Sequence, residues 1–235
     1  MLFGLLLFVS TFVFAQSHLE VCQSSQSRPI PHYDFSARDS GLKKRILVFA
    51  GIHGDEQEAL QMGKDWLSRL ERIKTPSNYW RIIPLLNPDG AVLKTRTNAN
   101  GVDVNRNFPT KDWDEMAVSQ WHKTQKSHPR RFPGKSAGSE PETKCAMAHI
   151  EEFKPDLVVS IHTPYGLFDF DGPSHKKIKT QLLPWKRLGT FPGSLGRYMW
   201  DERQIPTLTI ELKPDSLRKH NSGFILLQDA LTDLL

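Results

Sequence analysis

Cysteine is scarce in this 235-residue chain, with only Cys22 and Cys145 present. At most one disulfide can form. In an oxidising compartment the pair could tie the amino-terminal arm to a helix; otherwise Cys145 could simply be buried on an apolar helix face. No internal repeat is visible. No basic stripe interleaved with aromatics is present, and the net charge of +5 is spread over many Lys and Arg. That pattern gives no case for nucleic-acid binding and suits attraction to an anionic polymer. The six tryptophans are scattered and read mainly as core or cleft wall.

Long apolar runs are also missing, except at the amino terminus. Leu2 to Phe14 is nearly all apolar and is followed by a small-residue site, Val13-Phe14-Ala15. A bilayer span needs about 20 apolar residues, so residues 1–15 read as a cleaved signal peptide. The segment has no Lys or Arg, which leaves an uncleaved membrane anchor as the alternative. Cys22 follows His18-Leu19-Glu20-Val21, which is not a lipoprotein context. The expected location is therefore secreted or periplasmic, with no stable membrane insertion after cleavage. The oligomeric state is open.

Residues 16–40 are polar and rich in proline and serine, and read as an arm that wraps the surface or stays mobile. Residues 41–235 fit one catalytic domain. Apolar, β-branched runs such as Arg45–Ala50, Asp156–Ile161 and Pro206–Ile210 read as buried strands. They alternate with helical stretches, Gln57 to Ile73 and Pro141 to Phe153, the second started by Pro141. The fold class is α/β: a single-domain, mixed, mostly parallel twisted sheet with helices on both faces.

Each strand ends in chemistry. Gly51-Ile52-His53-Gly54-Asp55-Glu56 follows the first, Ser160-Ile161-His162 closes the second and Thr209-Ile210-Glu211 closes the third. Ligands in open α/β sheets gather where the carboxyl ends of strands meet. Two histidines and a glutamate with one open position are the ligand set of a catalytic zinc. A further glutamate is what such a zinc needs as general base. The pattern points to a zinc hydrolase.

Between these fragments lie Asn87-Pro88-Asp89-Gly90 and Asn98-Ala99-Asn100-Gly101-Val102-Asp103-Val104-Asn105-Arg106-Asn107-Phe108-Pro109. Taken alone, this is a long loop with asparagines in left-handed turns. It also carries Arg96 and Arg106. A guanidinium beside an amide can grip a carboxylate, and one beside a zinc can stabilise an oxyanion. Both suit peptide-bond hydrolysis next to a free carboxyl terminus.

These motifs, with Gly138-Ser139-Glu140-Pro141-Glu142-Thr143 and Phe191-Pro192-Gly193-Ser194-Leu195-Gly196, resemble the zinc metallocarboxypeptidases. Within that family they look most like the murein peptide amidase subgroup. The resemblance runs from about Lys43 to Pro214, with all pieces in the family's order. It implies a zinc carboxypeptidase-like fold and one zinc per chain, held by His53, Glu56 and His162. It implies Arg96 on the oxyanion side, Asn105 and Arg106 on the substrate's terminal carboxylate, and Glu211 as general base. It also implies a cis peptide bond at Thr163-Pro164. The implied activity is hydrolysis of the γ-D-glutamyl–diaminopimelate bond of peptidoglycan peptides. Two other classes stay open, an aspartoacylase-like zinc amidohydrolase and a non-catalytic cell-wall-binding relative.

Two departures from the family matter. Digestive members place an arginine where this chain has Asp55, and carry a tyrosine on a loop where Leu188 to Phe191 has none. Asp55 is expected to repel a carboxylate and attract an ammonium group, which suits diaminopimelate. Asp169 and Asp171, just past His162, could also read that ammonium, or form a solvated acidic turn.

Overall fold

The computed structural model describes residues 17, 19–38, 41–173, 178 and 180–235; the expected signal segment, residues 1–15, lies outside them. Among the described residues the chain order is β1 (Tyr33–Phe35), β2 (Arg45–Phe49), α1 (Gln57–Ile73), β3 (Tyr79–Ile83), α2 (Pro88–Leu93) and α3 (Val118–Lys123). Then follow α4 (Pro141–Phe153), β4 (Leu157–His162), β5 (Leu167–Asp171), α5 (Leu195–Arg203), β6 (Thr207–Glu211) and α6 (Ser216–Ala230). The strands make one six-stranded sheet in the order β1-β3-β2-β4-β6-β5. The four inner strands are parallel, and β1 and β5 are antiparallel edges.

Alternation along a strand sends neighbouring side chains to opposite faces, and β2 shows the result. Ile46 and Val48 join a cluster with Ala59, Met62 and Trp66 of α1 and Phe224 and Leu227 of α6. Leu47 and Phe49 join one with Ala146, Ile150 and Phe153 of α4 and Leu195 and Met199 of α5. Both faces are covered, so the inner strands read as continuous apolar runs. Trp66 locks the first layer: its ring meets that of Trp80 edge-on at 6.1 Å and its Nε1 donates to the Phe224 carbonyl at 2.9 Å.

The structure draws no boundary at residue 41. Strand β1, within the expected arm, pairs with β3, and the arm buries Cys22 and Ile30 in the second core. Cys22 and Cys145 form a disulfide that joins the arm to α4, so the oxidised alternative holds. Asp169 and Asp171 are not in a solvated turn. They lie on edge strand β5, paired with Thr209 and Thr207 of β6. The Thr163-Pro164 bond is cis. Among the described residues no helix is long and apolar enough to cross a membrane.

The Cys22–Cys145 link closes a segment 123 residues apart in sequence. Such a cross-link typically stabilises by about 2–4 kcal/mol. Chemical denaturation should show wild type losing about that much on reduction, whereas Cys22→Ala/Cys145→Ala should start lower and not respond to reductant. Equal stability of all four samples would show that the link contributes nothing.

Candidate active site

Parallel pairing places the candidate side chains on one edge of the sheet. His162 and Glu211 are register partners at the carboxyl ends of β4 and β6. Beyond the end of β2 the chain turns through Gly51 and presents His53 and then Glu56, immediately before α1. This turn touches the start of α2 backbone to backbone. A Cβ added at Gly54 would lie 1.9 Å from the Gly90 carbonyl carbon, so no larger residue fits there.

His53, Glu56 and His162 are all buried and converge. His53 Nδ1 is 2.8 Å from one Glu56 oxygen, and His162 Nδ1 is 2.9 Å from the other. The two Nδ1 atoms are 3.1 Å apart. Both imidazoles are held from behind. His53 Nε2 is 3.0 Å from the Asp103 carboxylate and His162 Nε2 is 2.8 Å from Ser160 Oγ. Outward Nε2–H donation leaves both Nδ1 lone pairs facing Glu56, an arrangement that tunes histidines as metal ligands. Two imidazoles, a carboxylate and an open fourth direction fit zinc.

Glu211 stands beside this group without joining it. Burial pushes its carboxyl above the ordinary range, Glu56 adds to the rise, and His162 opposes it. Its one hydrogen-bond donor among the described residues is the Tyr165 backbone N–H at 3.4 Å. Arg96 donates to Asp103 at 2.9 Å and approaches Glu56 at 3.4 Å.

Arg106 is only partly satisfied, with Nη1 donating to the Asn105 carbonyl at 2.6 Å. It is buried, its Nε has no hydrogen-bond partner, and its guanidinium lies 4.4 Å from the centre of the Phe191 ring. Burial lowers its pKa to about 10. Asn105 is positioned by accepting the Leu195 backbone N–H, which ties the loop to the start of α5. Gly193 makes the neighbouring turn possible: its φ is 78°, and a Cβ there would lie 1.9 Å from the Arg106 carbonyl oxygen. These groups line a cavity of about 590 Å³, together with Asp55, Arg130, Arg131, Tyr165, Asp169, Asp171 and Thr209.

The asparagines of the long loop are not in left-handed turns; Gly101 is the residue there with positive φ. Asn98 and Asn107 are brackets. Asn98 Nδ2 donates to Glu140 and Glu142, and its Oδ1 caps the Asn100 and Val102 N–H groups. Asn107 Nδ2 reaches the Pro133 and Ser136 carbonyls. Asp55 also departs from expectation. Its carboxylate lies 2.6 Å from Arg130 Nη1, so it faces a cation of the protein itself and is not a free anion awaiting an ammonium.

All eight expected site residues line or border the cavity. Sequence reading assigned no role to Asp103, Ser160, Tyr165, Arg130 and Arg131. Asp103 lay inside a quoted motif and Ser160 two residues before His162, a same-side spacing on a strand. Pro129 marks the turn bearing Arg130, but nothing in the sequence signalled that this turn lies against the cavity.

The sheet, the His-Glu-His group and the adjacent Glu211 define a metallopeptidase. Residues 15–168 match the zinc carboxypeptidase family model, and the chain belongs to that family, whose enzymes use zinc. Murein peptide amidase A of Vibrio campbellii is 34% identical over 203 residues, which cover 81% of this chain and 79% of that protein. The protein of the same name from Escherichia coli K12 is 34% identical over 210 residues, covering 85% and 81%. Among solved structures, murein-tripeptide amidase MpaA from Escherichia coli O157 superposes with a TM-score of 0.66 at 30% identity, covering 94% and 93% of the two chains. Thrombin activatable fibrinolysis inhibitor shares the fold, with a TM-score of 0.71 at 15% identity, over 94% of this chain and 69% of its own.

Purified protein should hold one zinc per chain, and His53→Ala or His162→Ala should lose it. Asp103→Asn should bind zinc about 10- to 100-fold more weakly, as read by competition with a chromophoric chelator. Full zinc occupancy in either histidine variant would remove that residue from the ligand set.

Proposed function

We propose that the chain hydrolyses the γ-D-glutamyl–diaminopimelate bond of short, uncrosslinked peptidoglycan peptides outside the cytoplasm. The observation that carries this reading is Arg106. A buried guanidinium with an unpaired Nε beside a metal site is costly unless an anion completes it, and a leaving residue with a free carboxylate provides that anion. The likeness to murein peptide amidases over most of both chains supports diaminopimelate as that residue.

In this reading His53, Glu56 and His162 hold the zinc. When bound, zinc supplies a Lewis acid that activates water and polarises the scissile carbonyl. Glu211 takes a proton from the attacking water on its carboxylate and passes it to the leaving amine nitrogen. A carboxyl whose pKa is raised by burial holds that proton more readily between the two steps. Arg96 donates to the carbonyl oxygen as charge develops there. Asn105 and Arg106 orient the leaving residue through its carboxylate.

Of the two acids on β5, Asp171 suits the distal ammonium of diaminopimelate better. Asp169 already accepts the backbone N–H groups of Phe170 and Leu188. Burial, with Asp169 nearby, raises the Asp171 carboxyl to about 6, which leaves it mainly ionised at neutral pH. The complete residue set speaks against a non-catalytic wall-binding relative, and the family match against an aspartoacylase-like enzyme. The extracytoplasmic location is supported by the disulfide, since such links persist in oxidising compartments. The apolar segment at residues 1–15 fits a leader for export.

Glu211→Gln should retain zinc and fold while losing about 100- to 10,000-fold in turnover. A variant with near-normal turnover would take Glu211 out of the mechanism. Arg106→Ala should retain zinc but weaken substrate use, and amidating the diaminopimelate carboxylate should abolish cleavage by wild type. Faster trimming of ordinary C-terminal L-residues than of diaminopimelate would overturn the murein reading and leave a general carboxypeptidase.

A further inference from the structure

The acid at position 55 holds a base, and the base faces the cavity. Arg130 Nη1 lies 2.6 Å from Asp55 Oδ2, the side chains being 53% and 23% exposed. A half-exposed ion pair of this kind adds little to stability. Its effect is positional, because it fixes a long, otherwise free guanidinium on the cavity wall.

The backbone beneath it is also fixed. Pro129–Arg131 forms a single 3₁₀ turn whose first residue is a proline, capped by His128 accepting the Arg130 N–H. Trp121 Nε1 donates to the His128 carbonyl at 2.9 Å, and the Asp103 N–H donates to the Phe132 carbonyl at 2.8 Å. The turn is thus pinned on both flanks, on one side to the residue that supports His53.

Its place in the cavity follows from the contacts of its neighbours. Arg96 Nη1 lies 3.4 Å from Glu56 Oε1 and Asp55 adjoins Glu56 in the chain, so the Asp55–Arg130 pair lies on the Arg96 side of the His-Glu-His group. Asp169 and Asp171 lie on β5, next to β6 and Glu211. In the reading above Arg96 faces the acyl oxygen, and Arg106 and β5 face the leaving residue. Arg130 therefore borders the acyl half of the substrate.

We infer that Arg130, positioned by Asp55, binds the free α-carboxylate of the γ-linked glutamyl residue on the acyl side of the cut bond. The inference rests on the γ-D-glutamyl reading. In an α-linked peptide the scissile carbonyl belongs to the α-carboxyl group itself, so no such anion exists. In a γ-linked residue a carboxylate hangs three carbons from the scissile carbonyl, within the span of a cavity of about 590 Å³. Arg131, next in the chain, also lines the cavity. The guanidinium suits the task because its planar fork matches a carboxylate.

The test compares two tripeptides, L-Ala-γ-D-Glu-diaminopimelate and the same peptide with the glutamyl α-carboxylate converted to carboxamide. Zinc-loaded wild type should favour the acid by about tenfold in kcat/KM, the scale of one charge-assisted hydrogen bond, chiefly through KM. Arg130→Gln should bring the ratio close to one, and Arg130→Lys should restore part of it. Asp55→Asn should lower the ratio in the same direction, an effect that a purely structural role would not produce. The inference is overturned if wild type does not discriminate between the two peptides. It is equally overturned if Arg130→Gln slows both to the same extent and leaves the ratio intact. If neither tripeptide is cleaved, the γ-D-glutamyl reading itself fails and this inference falls with it.

Discussion

The site depends on one fully buried carboxylate. Asp103 Oδ1 lies 3.0 Å from His53 Nε2 and also accepts the Asn105 backbone N–H, while Oδ2 accepts Arg96 Nε. A single side chain therefore orients a zinc ligand, the arginine beside it, and the turn that presents Asn105 and Arg106. Burial alone would push this acid up, but the charges of Arg96 and His53 outweigh it and hold its pKa well below the ordinary carboxylate range. Asp103 is thereby favoured as an anion, the form that holds its partners in place.

The cavity is lined by charges of both signs. Arg96, Arg106, Arg130 and Arg131 all line it, and Asp169, Asp171 and Glu211 come from the β5–β6 side, with Arg106 against the Phe191 ring. A ligand of uniform charge would meet repulsion somewhere along the cavity. A ligand carrying both signs can match charges of both signs, and in a partly dry site those contacts discriminate more strongly than in water. Specificity of this kind comes from rejecting wrong arrangements as well as from attracting the right one.

Much of this was legible in the sequence, for physical reasons. Inner strands covered on both faces must be apolar along their length, so β2, β4 and β6 showed as β-branched runs. Polar residues at their ends then stood out as site residues, and the register between His162 and Glu211 follows from parallel pairing. Strand β1 was missed because three residues of an antiparallel edge, Tyr33-Asp34-Phe35, leave no period to detect. Asp55 was misjudged because its local sequence holds no cation. Its partner is 75 residues away and arrives only when the Pro129–Arg131 turn folds over the cavity. Asn98 and Asn107 looked like turn formers because asparagine commonly is one, and only the fold shows that their amides brace other loops.

The disulfide has a consequence for the chain as a covalent object. Cys22 and Cys145 bracket His53, Glu56, Arg96, Asn105 and Arg106, while His162 and Glu211 lie outside the bracket. The surface segment from His122 to Arg130, mostly exposed, falls inside it. One backbone break in that segment would cut the polypeptide in two yet release neither piece. A nicked molecule would still migrate as a single species until a reductant separated it into halves, each holding part of the active site.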